Sequence, residues 1–206
     1  MPLHSQAVTE IVLATRNPDK GRELERLLGG VGIAIRTLAD FPTAPEVEED
    51  GMTCEANAIK KAKEIARSTG IPALADDTGL EVDALDGRPG VYAARYAGEH
   101  ATYEDNCRKL LHELTGVPRP KRTARFLTVA AFAFPSGDVH VTHGNLEGLI
   151  TEQLIGDGGF GYDPVFLVPG VNKTLAQLTT EEKNCMSHRA KAFTQMRDWL
   201  KERRDT

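Results

Sequence analysis

The sequence has few cysteines, a single tryptophan and no excess of basic residues. Its three cysteines, Cys54, Cys107 and Cys185, are far apart and form no Cys-x-x-Cys pair, which argues against a disulfide framework or a zinc site. No apolar run approaches the roughly 18 residues of a membrane-spanning helix. The opening residues lack the basic and apolar segments of a secretory signal. These absences predict a reduced, cytoplasmic location and no membrane partner.

The charge balance argues against a protein that binds nucleic acid. The net charge at pH 7 is −5, whereas proteins that bind nucleic acid broadly need a basic face. A phosphorylated small molecule is compatible with this charge, because a few local cations or a metal ion can reverse the field at one site. We therefore expect no nucleic-acid partner.

The order of the predicted elements favours an α/β fold. The chain opens with a strand at 10–15, a helix at 17–30 and a second strand at 32–38, which is a β-α-β unit. Three further helices and a long hairpin are predicted, at 53–70, 102–116, 187–204 and 122–150. The helix at 102–116 is expected to turn Tyr103 inward, and the predicted caps of the four helices are Asn17, Thr53, Thr102 and Ser187. No linker divides two cores, so residues 1–206 are predicted to form one domain with a mixed sheet and flanking helices. The alternation of β-α units with hairpins suggests two lobes around a cleft.

A candidate anion site lies where the first strand meets the first helix, in Thr-Arg-Asn-Pro-Asp-Lys (15–20). A helix N-terminus offers unpaired N–H groups and a positive dipole end, which attract anions. Lys20 adds a full positive charge, and Thr15 and Asn17 can donate hydrogen bonds to phosphate oxygens. The segment lacks the GxxxxGK[ST] pattern of a P-loop, and for this hexamer alone an ordinary capped helix is the simpler interpretation.

Two adjacent aspartates, Asp76 and Asp77, follow the apolar residues of a strand predicted at 72–76. Residues 78–79 are predicted to form a turn, with another strand at 79–85. The pair is either a solvated turn or a site for something positive. Its position at a strand end favours the second interpretation, because ligands bind at the strand ends of α/β sheets.

A divalent cation is the positive partner that such carboxylates could hold. Magnesium takes hard oxygen ligands, often one or two protein carboxylates together with substrate phosphates, and the acidic run at 46–50 could supply a second carboxylate. Neighbouring side chains on a strand point to opposite faces. We therefore expect Asp77 to face the ligand and Asp76 to serve as a structural or indirect acceptor.

A glycine-rich segment, Gly-Gly-Phe-Gly-Tyr-Asp-Pro-Val-Phe (158–166), is a candidate base-binding element. Glycines let the backbone approach a ligand closely, and Phe160 or Tyr162 could stack on a base. The alternative is a glycine-rich turn with a core aromatic residue, and the two interpretations are evenly balanced on these residues alone.

A second basic segment surrounds the start of the last helix. Lys183 is expected in a loop, and His188 and Arg189 fall on the first helical turn. Basic groups there oppose the helix dipole, which indicates another partner, such as a phosphate or a carbonyl. For His188 alone, a partly buried histidine is the alternative.

Taken together, these segments resemble a known family. TRNPDK, ADDTGLEV, PGVYAARYAG, GGFGYDPVF, EEK and SHR occur in this order and spacing, and the whole resembles the inosine/xanthosine triphosphate pyrophosphatase family from about Ile11 to about Arg203. The resemblance implies a long, twisted, mixed sheet in two lobes around a substrate cleft, and usually a homodimer. It also implies magnesium-dependent hydrolysis of deaminated purine nucleoside triphosphates to the monophosphate and pyrophosphate.

The resemblance also implies individual roles. Asp77 would be the catalytic carboxylate and a metal ligand, and Glu48 the second metal-side carboxylate, with Glu49 as its rival. The implied substrate-binding residues on the phosphate side are Thr15, Arg16, Asn17, Lys20 and Thr78. Those implied for the nucleoside site and the remaining base and phosphate contacts are Phe160, Gly161, Tyr162, Asp163, Lys183, His188 and Arg189.

One departure from the family pattern falls in the second helix. Related sequences often carry a glutamate directly before the asparagine, whereas here the order is Glu55-Ala56-Asn57. If that acid serves the metal, its role passes to Glu55 or to a water. Two other functions are weighed: a Maf-like pyrophosphatase of different base specificity, and a non-catalytic nucleotide sensor, which the carboxylates at 76–77 and 48 count against.

Base selection yields a prediction for Arg189. Hypoxanthine and xanthine carry a 6-oxo acceptor where adenine carries an amino donor. A hydrogen-bond donor from Arg189 or His188 would therefore pair with the 6-oxo group of the first two bases and meet the amino donor of adenine unfavourably. Polar groups left unpaired in a closed pocket can discriminate by as much as ~10⁴. The Arg189→Ala variant is therefore expected to lower the ratio of ITP to ATP hydrolysis. An unchanged ratio, measured by pyrophosphate release, excludes Arg189 as the group that selects the base.

Overall fold

Eight strands and five helices form the regular structure of residues 7–204, the part of the chain that the computed structural model describes. The helices are α1 (Pro18–Leu27), α2 (Cys54–Thr69), α3 (Tyr103–Glu113), α4 (Thr180–Met186) and α5 (His188–Arg204). The strands are β1 (Glu10–Leu13), β2 (Ala34–Thr37), β3 (Ala73–Val82), β4 (Pro89–Gly90), β5 (Thr123–Ala133), β6 (Val139–Ile150), β7 (Phe166–Val168) and β8 (Lys173–Thr174).

The strands form one mixed sheet in the order β2-β1-β3-β5-β6-β7-β8, with β4 paired to β3. Strand β1 runs parallel to β2 and to β3, where Val12 is the register partner of Arg36 and of Ala73. The pairs β3–β4, β6–β7 and β7–β8 are antiparallel. The predicted α/β class with a mixed sheet and flanking helices is confirmed. The predicted hairpin is also present, since β5 and β6 are neighbours joined by a short turn.

The described chain divides into two compact units. The first comprises residues 7–77, 128–144 and 189–204, and the second comprises 78–127 and 145–188. The boundary within β3 falls directly after Asp77. The single domain built around a cleft stays a prediction.

Side-chain alternation along the strands organises the core of the first unit. Ile11 and Leu13 of β1, with Leu74 of β3, lie in a cluster with apolar residues of α1 and α5. Val12 of β1, with Ala73 and Ala75 of β3, lies in a second cluster with apolar residues of α2. Successive residues of a strand point to opposite faces, so α1 and α5 cover one face of these strands and α2 covers the other.

The second unit has its own apolar core. Strands β3, β5 and β7 and helix α3 contribute to it, with Leu80, Leu110, Phe126 and Phe166 among its members. The guanidinium of Arg122 is buried at the edge of this core and donates hydrogen bonds to three carbonyl oxygens, those of Leu114, Val117 and Thr151. A buried cation held in this way costs far less than an unsatisfied one.

Three of the four predicted helix caps are confirmed, and the cap at Ser187 stays a prediction. Asn17 caps α1, where its side chain accepts hydrogen bonds from the N–H groups of Asp19 and Lys20. Thr53 and Thr102 cap α2 and α3 in the same way. Within residues 7–204, no helix combines the length and apolar character needed to cross a membrane.

The predicted turn at residues 78–79 is wrong, because β3 runs unbroken from Ala73 to Val82. Beyond the aspartates, Leu80 and Val82 are buried in the second core, and Leu80 pairs with Gly90 of β4. The apolar residues on both sides of the acidic pair therefore keep the backbone extended.

Two local predictions for the helices also need correction. Lys183 lies within α4 rather than in a loop, because Thr179 and Glu182 form a capping box that starts a short helix before Ser187. Tyr103 was expected to face inward from α3, but it is 41 % exposed. It is the first residue of α3.

Candidate active site

Asp76 lies on the face of β3 that α1 and α5 cover, and it is 1 % exposed. Its Oδ2 atom is 3.3 Å from Lys20 Nζ on α1 and 3.2 Å from Arg189 Nε on α5. The same face holds Leu74, two residues earlier, as strand alternation requires. Asp76 therefore ties the first turns of two helices to the sheet.

The guanidinium of Arg189 has a second carboxylate partner. Its Nη1 atom donates to Glu23 Oε2 of α1 at 2.8 Å, and both side chains are buried. Burial by itself would raise the pKa of Asp76, but Lys20, Arg189 and Lys61 outweigh it and hold that pKa well below its usual range. Asp76 is thus a buried, ionised anchor.

Asp77 lies on the opposite face of β3, against α2, and is 4 % exposed. Asn57 donates a hydrogen bond from Nδ2 to Asp77 Oδ2 at 3.1 Å, and Lys61 Nζ is 3.9 Å from Asp77 Oδ1. Burial and the charge of Glu49 raise the pKa of Asp77, although Lys61 and Lys20 act in the opposite direction. The two aspartates therefore have different partners and opposite pKa shifts.

Cys54 contributes a neutral neighbour to Asp77. Burial, the charge of Asp77 and a hydrogen bond to its carboxylate raise the pKa of the Cys54 thiol to about 12. The thiol therefore stays protonated at neutral pH, and it faces Asp77 as a donor rather than as a nucleophile.

Lys61 connects Asp77 to the acidic loop that precedes α2. Its ammonium is 2.5 Å from Glu49 Oε1 and donates to the backbone carbonyl of Asp76 at 2.7 Å. Burial would lower the pKa of Lys61, but Glu49, Asp77 and Asp76 outweigh this effect and raise it. One charged ammonium therefore brings two carboxylates together and holds the backbone between the aspartates.

Asn57 fixes the same loop at a second point. Its Oδ1 atom accepts a hydrogen bond from the Gly51 N–H at 2.7 Å, while its Nδ2 atom donates to Asp77. A Cβ atom on residue 51 would lie 2.6 Å from Asn57 Oδ1, so glycine permits this close approach. Asn57 is 1 % exposed, and both ends of its amide are used.

The structure distinguishes the two glutamates that the sequence left as rivals. Glu49 is half-buried, pairs with Lys61 and adds to the field at Asp77. Glu48 is exposed, and its charge acts on Lys60, whose pKa is raised first by a hydrogen bond to Asp50. The geometry therefore points to Glu49 rather than Glu48 as the carboxylate beside Asp77.

The start of α1 holds the predicted phosphate-binding residues. Asn17 Oδ1 accepts from Asp19 N at 2.9 Å and from Lys20 N at 3.3 Å, and Thr15 Oγ1 accepts from Asn17 N at 3.2 Å. These contacts are those of a capped helix. Arg16 donates to the carbonyl of Ala44 at 2.9 Å, at the start of the acidic loop, and so braces that loop.

In the second unit, Asp163 organises the glycine-rich segment. Its Oδ2 atom accepts hydrogen bonds from Phe160 N at 2.9 Å and from Lys183 Nζ at 2.7 Å. Lys183 Nζ also lies 4.8 Å from the centroid of the Phe160 ring. Gly159 has a φ of +71°, and a Cβ there would lie 2.8 Å from Asp163 Cγ, so a side chain would disrupt the segment.

The two aromatic candidates for base stacking differ in burial. Tyr162 is 5 % exposed and its hydroxyl donates to the Ala93 carbonyl at 2.9 Å, whereas Phe160 is only half-buried. His188 is buried and stacks on Phe126, with ring centroids 4.4 Å apart. Tyr162 and His188 thus lie largely within the core.

The remaining predicted residues are placed as follows. Thr78 follows Asp77 in β3 and is half-buried. The Gly161 carbonyl accepts a hydrogen bond from Cys107 Sγ at 3.3 Å. Arg189 is buried with its guanidinium on Glu23 and Asp76, so its charge is already neutralised. Its predicted contact with the base stays a prediction.

Sequence reasoning missed three residues that contact the charged side chains described above: Glu23, Asn57 and Lys61. Asn57 and Lys61 are four apart on α2, and residues at that spacing share a helix face. They lie among the alanines of the buried stripe, and this pairing of polar residues with an apolar face is the signal that could have identified them. Glu23 lies next to Leu24 in α1 and gives no comparable signal.

The site consists of four carboxylates and three cations in the first unit. They are Glu23, Glu49, Asp76, Asp77, Lys20, Lys61 and Arg189. With all groups ionised, the cluster carries one excess negative charge. Within residues 7–204, no group of three or more acidic, histidine or cysteine side chains is placed to hold a metal ion by itself.

Fold and site together define a class of protein: an α/β protein whose clustered carboxylates and cations suit a phosphorylated ligand and a hard metal ion. The chain belongs to the Ham1 family, whose model matches residues 11–199. The family resemblance inferred from the motifs is therefore confirmed.

Known relatives match over nearly the whole chain. A dITP/XTP pyrophosphatase from Geobacter sulfurreducens is 51 % identical over 193 residues, which cover 94 % of this chain and 97 % of that protein. A dITP/XTP pyrophosphatase from Elusimicrobium minutum is 53 % identical over 196 residues, which cover 93 % of this chain and 100 % of that protein. The solved structure of a HAM1 protein from Coxiella burnetii is 41 % identical, with a TM-score of 0.87 over 95 % of this chain and 100 % of that one.

Lys61 yields a prediction about stability. In Lys61→Met the buried carboxylates lose their shared cation, so the free energy of unfolding at pH 7 should fall by about 3 kcal/mol, as for breaking a buried ion pair. Lys61 lowers the pKa of Asp77, so its loss raises that pKa further above the unfolded value. A carboxyl group with a raised folded-state pKa favours folding when protonated, and the deficit should shrink as the pH falls through that pKa.

The neighbouring lysine provides a matched control. Lys60 pairs with Asp50, whose side chain is 59 % exposed, so Lys60→Met should lower the free energy of unfolding far less than Lys61→Met does, because solvent screens an exposed ion pair. Urea denaturation of both variants at several pH values measures the difference. Equal losses in the two variants would show that Lys61 is not a buried structural cation.

Proposed function

We propose that this protein hydrolyses deaminated purine nucleoside triphosphates, ITP, dITP and XTP, to the nucleoside monophosphate and pyrophosphate. The observation that carries the proposal is Asp77, a buried carboxylate with a raised pKa held between Asn57 and Lys61. Perturbed carboxylates of this kind are typical of general bases. The names of relatives at 51 % and 53 % identity supply the substrate class.

The cluster around Asp77 suits magnesium. Asp77 and Glu49 already share one cation, Lys61, and the cluster has an excess of negative charge. Two carboxylates, completed by substrate phosphate oxygens and water, are a common magnesium environment. We therefore infer that Asp77 and Glu49 would hold the ion, with Glu49 replacing Glu48 in the original expectation. When bound, the ion would supply positive charge that offsets the charge on the triphosphate.

The reaction needs charge neutralisation and one proton acceptor. A water attacks the α-phosphorus, the bond from that phosphorus to the bridging oxygen breaks, and pyrophosphate leaves with the bond electrons. The proton of the water passes to the Asp77 carboxylate, the acceptor that we propose for this step. Asn57 and Lys61 hold this carboxylate in place.

Lys20 is the cation best placed to meet phosphate. Its side chain is 18 % exposed, whereas that of its partner Asp76 is fully buried. Asp76 pairs with both Lys20 and Arg189, and so holds the Lys20 ammonium in place. We therefore assign Arg189 a positioning role in addition to its predicted contact with the purine base. Thr15, Arg16, Asn17 and Thr78 stay proposed contacts of the substrate.

The nucleoside contacts are proposed for the glycine-rich segment of the second unit. Phe160 is the half-buried aromatic residue there, and Asp163 and Lys183 hold it, which supports Phe160 over Tyr162 as the base-stacking residue. Gly161 and His188 complete the proposed set. A homodimer and a cytoplasmic location are further proposals that rest on the family resemblance.

Pyrophosphate release from ITP, XTP, dITP, GTP and ATP, measured in parallel with and without magnesium, tests the function. We expect magnesium-dependent release from the first three and far less from GTP and ATP. Asp77→Asn should keep less than about 10 % of the activity, because general-base catalysis supplies about 10²–10⁴-fold. Release from GTP or ATP at the rate seen with ITP, or a fully active Asp77→Asn, would overturn the proposal.

The two adjacent glutamates allow a paired test of the metal site. Glu49→Gln should raise the magnesium concentration needed for half-maximal activity by at least about tenfold, a cost typical of disturbing a metal site. Glu48→Gln should behave like the wild type, because Glu48 is exposed and its charge acts on Lys60. Calorimetric titration with magnesium alone provides a readout independent of turnover. The opposite result, with Glu48→Gln impaired and Glu49→Gln normal, would restore the assignment of Glu48.

A further inference from the structure

Helix α3 contacts the glycine-rich segment at two points on one face. The Tyr103 ring lies against the Phe160 ring, with centroids 5.9 Å apart and planes tilted by 42°. Four residues later, Cys107 Sγ donates to the Gly161 carbonyl at 3.3 Å. Residues four apart share a helix face, so this side of α3 supports the segment next to Phe160.

The backbone of the segment gives Phe160 little rigidity of its own. Gly159 and Gly161 flank it with φ values of +71° and +62°, and glycine linkages of this kind are intrinsically pliant. Asp163 holds the Phe160 N–H at 2.9 Å, which fixes the backbone. The direction of the ring therefore depends on side-chain contacts.

Lys183 and Tyr103 both contact the Phe160 ring, and they act differently. Lys183 Nζ lies 4.8 Å from the ring centroid and is itself held by Asp163 at 2.7 Å. A cation over an aromatic face attracts it but does not stop it from turning. The tilted Tyr103 ring supplies a rigid apolar surface beside it.

We propose that Tyr103 is a positioning residue, which holds the Phe160 ring in the orientation that receives a purine base. The inference rests on the proposed function and adds a residue that determines affinity for the base. Tyr103 is 41 % exposed, so its replacement does not empty a core. An aromatic pair contributes about 0.5–1.5 kcal/mol beyond area burial, which corresponds to about a 2- to 10-fold change in affinity.

The test separates base binding from phosphate binding. Inosine monophosphate carries the base and is not consumed, whereas inorganic tripolyphosphate carries phosphates alone. Calorimetry should show that Tyr103→Ala weakens inosine monophosphate binding about 2- to 10-fold and leaves tripolyphosphate binding unchanged. Tyr103→Phe should restore wild-type binding, because it keeps the ring. In Tyr103→Ala, the KM for ITP should rise by about the same factor as the dissociation constant of inosine monophosphate. The kcat should stay within about twofold of the wild-type value.

Arg108→Ala is the matched control, because Arg108 lies on the same helix with its side chain 67 % exposed and pairs with Glu104. It should bind both probes as the wild type does. Unchanged monophosphate binding in Tyr103→Ala, or a parallel loss of tripolyphosphate binding, would overturn the inference. A wild-type protein that binds the monophosphate but releases no pyrophosphate from ITP would instead disprove the proposed function and leave the role of Tyr103 standing.

Discussion

The alternation of side chains along β3 is the constraint on which the candidate site depends. Asp76 and Asp77 are adjacent in sequence, yet one faces α1 and α5 while the other faces α2. The same alternation divides the apolar core into two clusters. A single strand thus places one carboxylate among structural cations and the next beside the residues proposed for chemistry.

Burying so many charges is tolerable only because each group has counterparts. The field of Lys20, Arg189 and Lys61 lowers the pKa of Asp76, whereas burial and Glu49 raise that of Asp77. One carboxyl group is therefore held as an anion, and its neighbour is the one proposed as the base. This separation of pKa values between two like residues is how a fold obtains two roles from one residue type. It also places stabilising ion pairs and the proposed chemistry in the same group of side chains.

Predictions from sequence succeeded where local rules decide the outcome. Asn17, Thr53 and Thr102 cap helices because their side chains bond the nearest backbone N–H groups. They failed where distant segments decide, as at residues 78–79, which β4 and the second core keep extended. The proposal of Glu49 over Glu48 likewise depends on a residue distant in sequence, because the ion pair with Lys61 distinguishes the two neighbouring loop residues.

The sequence by itself determined the α/β order of elements, the helix caps, the family and the separation of Asp76 from Asp77, because these depend on local periodicity and on motifs in a fixed order. Only the tertiary structure decided which cations meet which carboxylates. The contacts of Asp77 include Asn57 and Lys61, 20 and 16 residues away in the chain, and those of Asp76 include Arg189, 113 residues away. Packing of helices on a sheet brings such residues together, and no local rule encodes it.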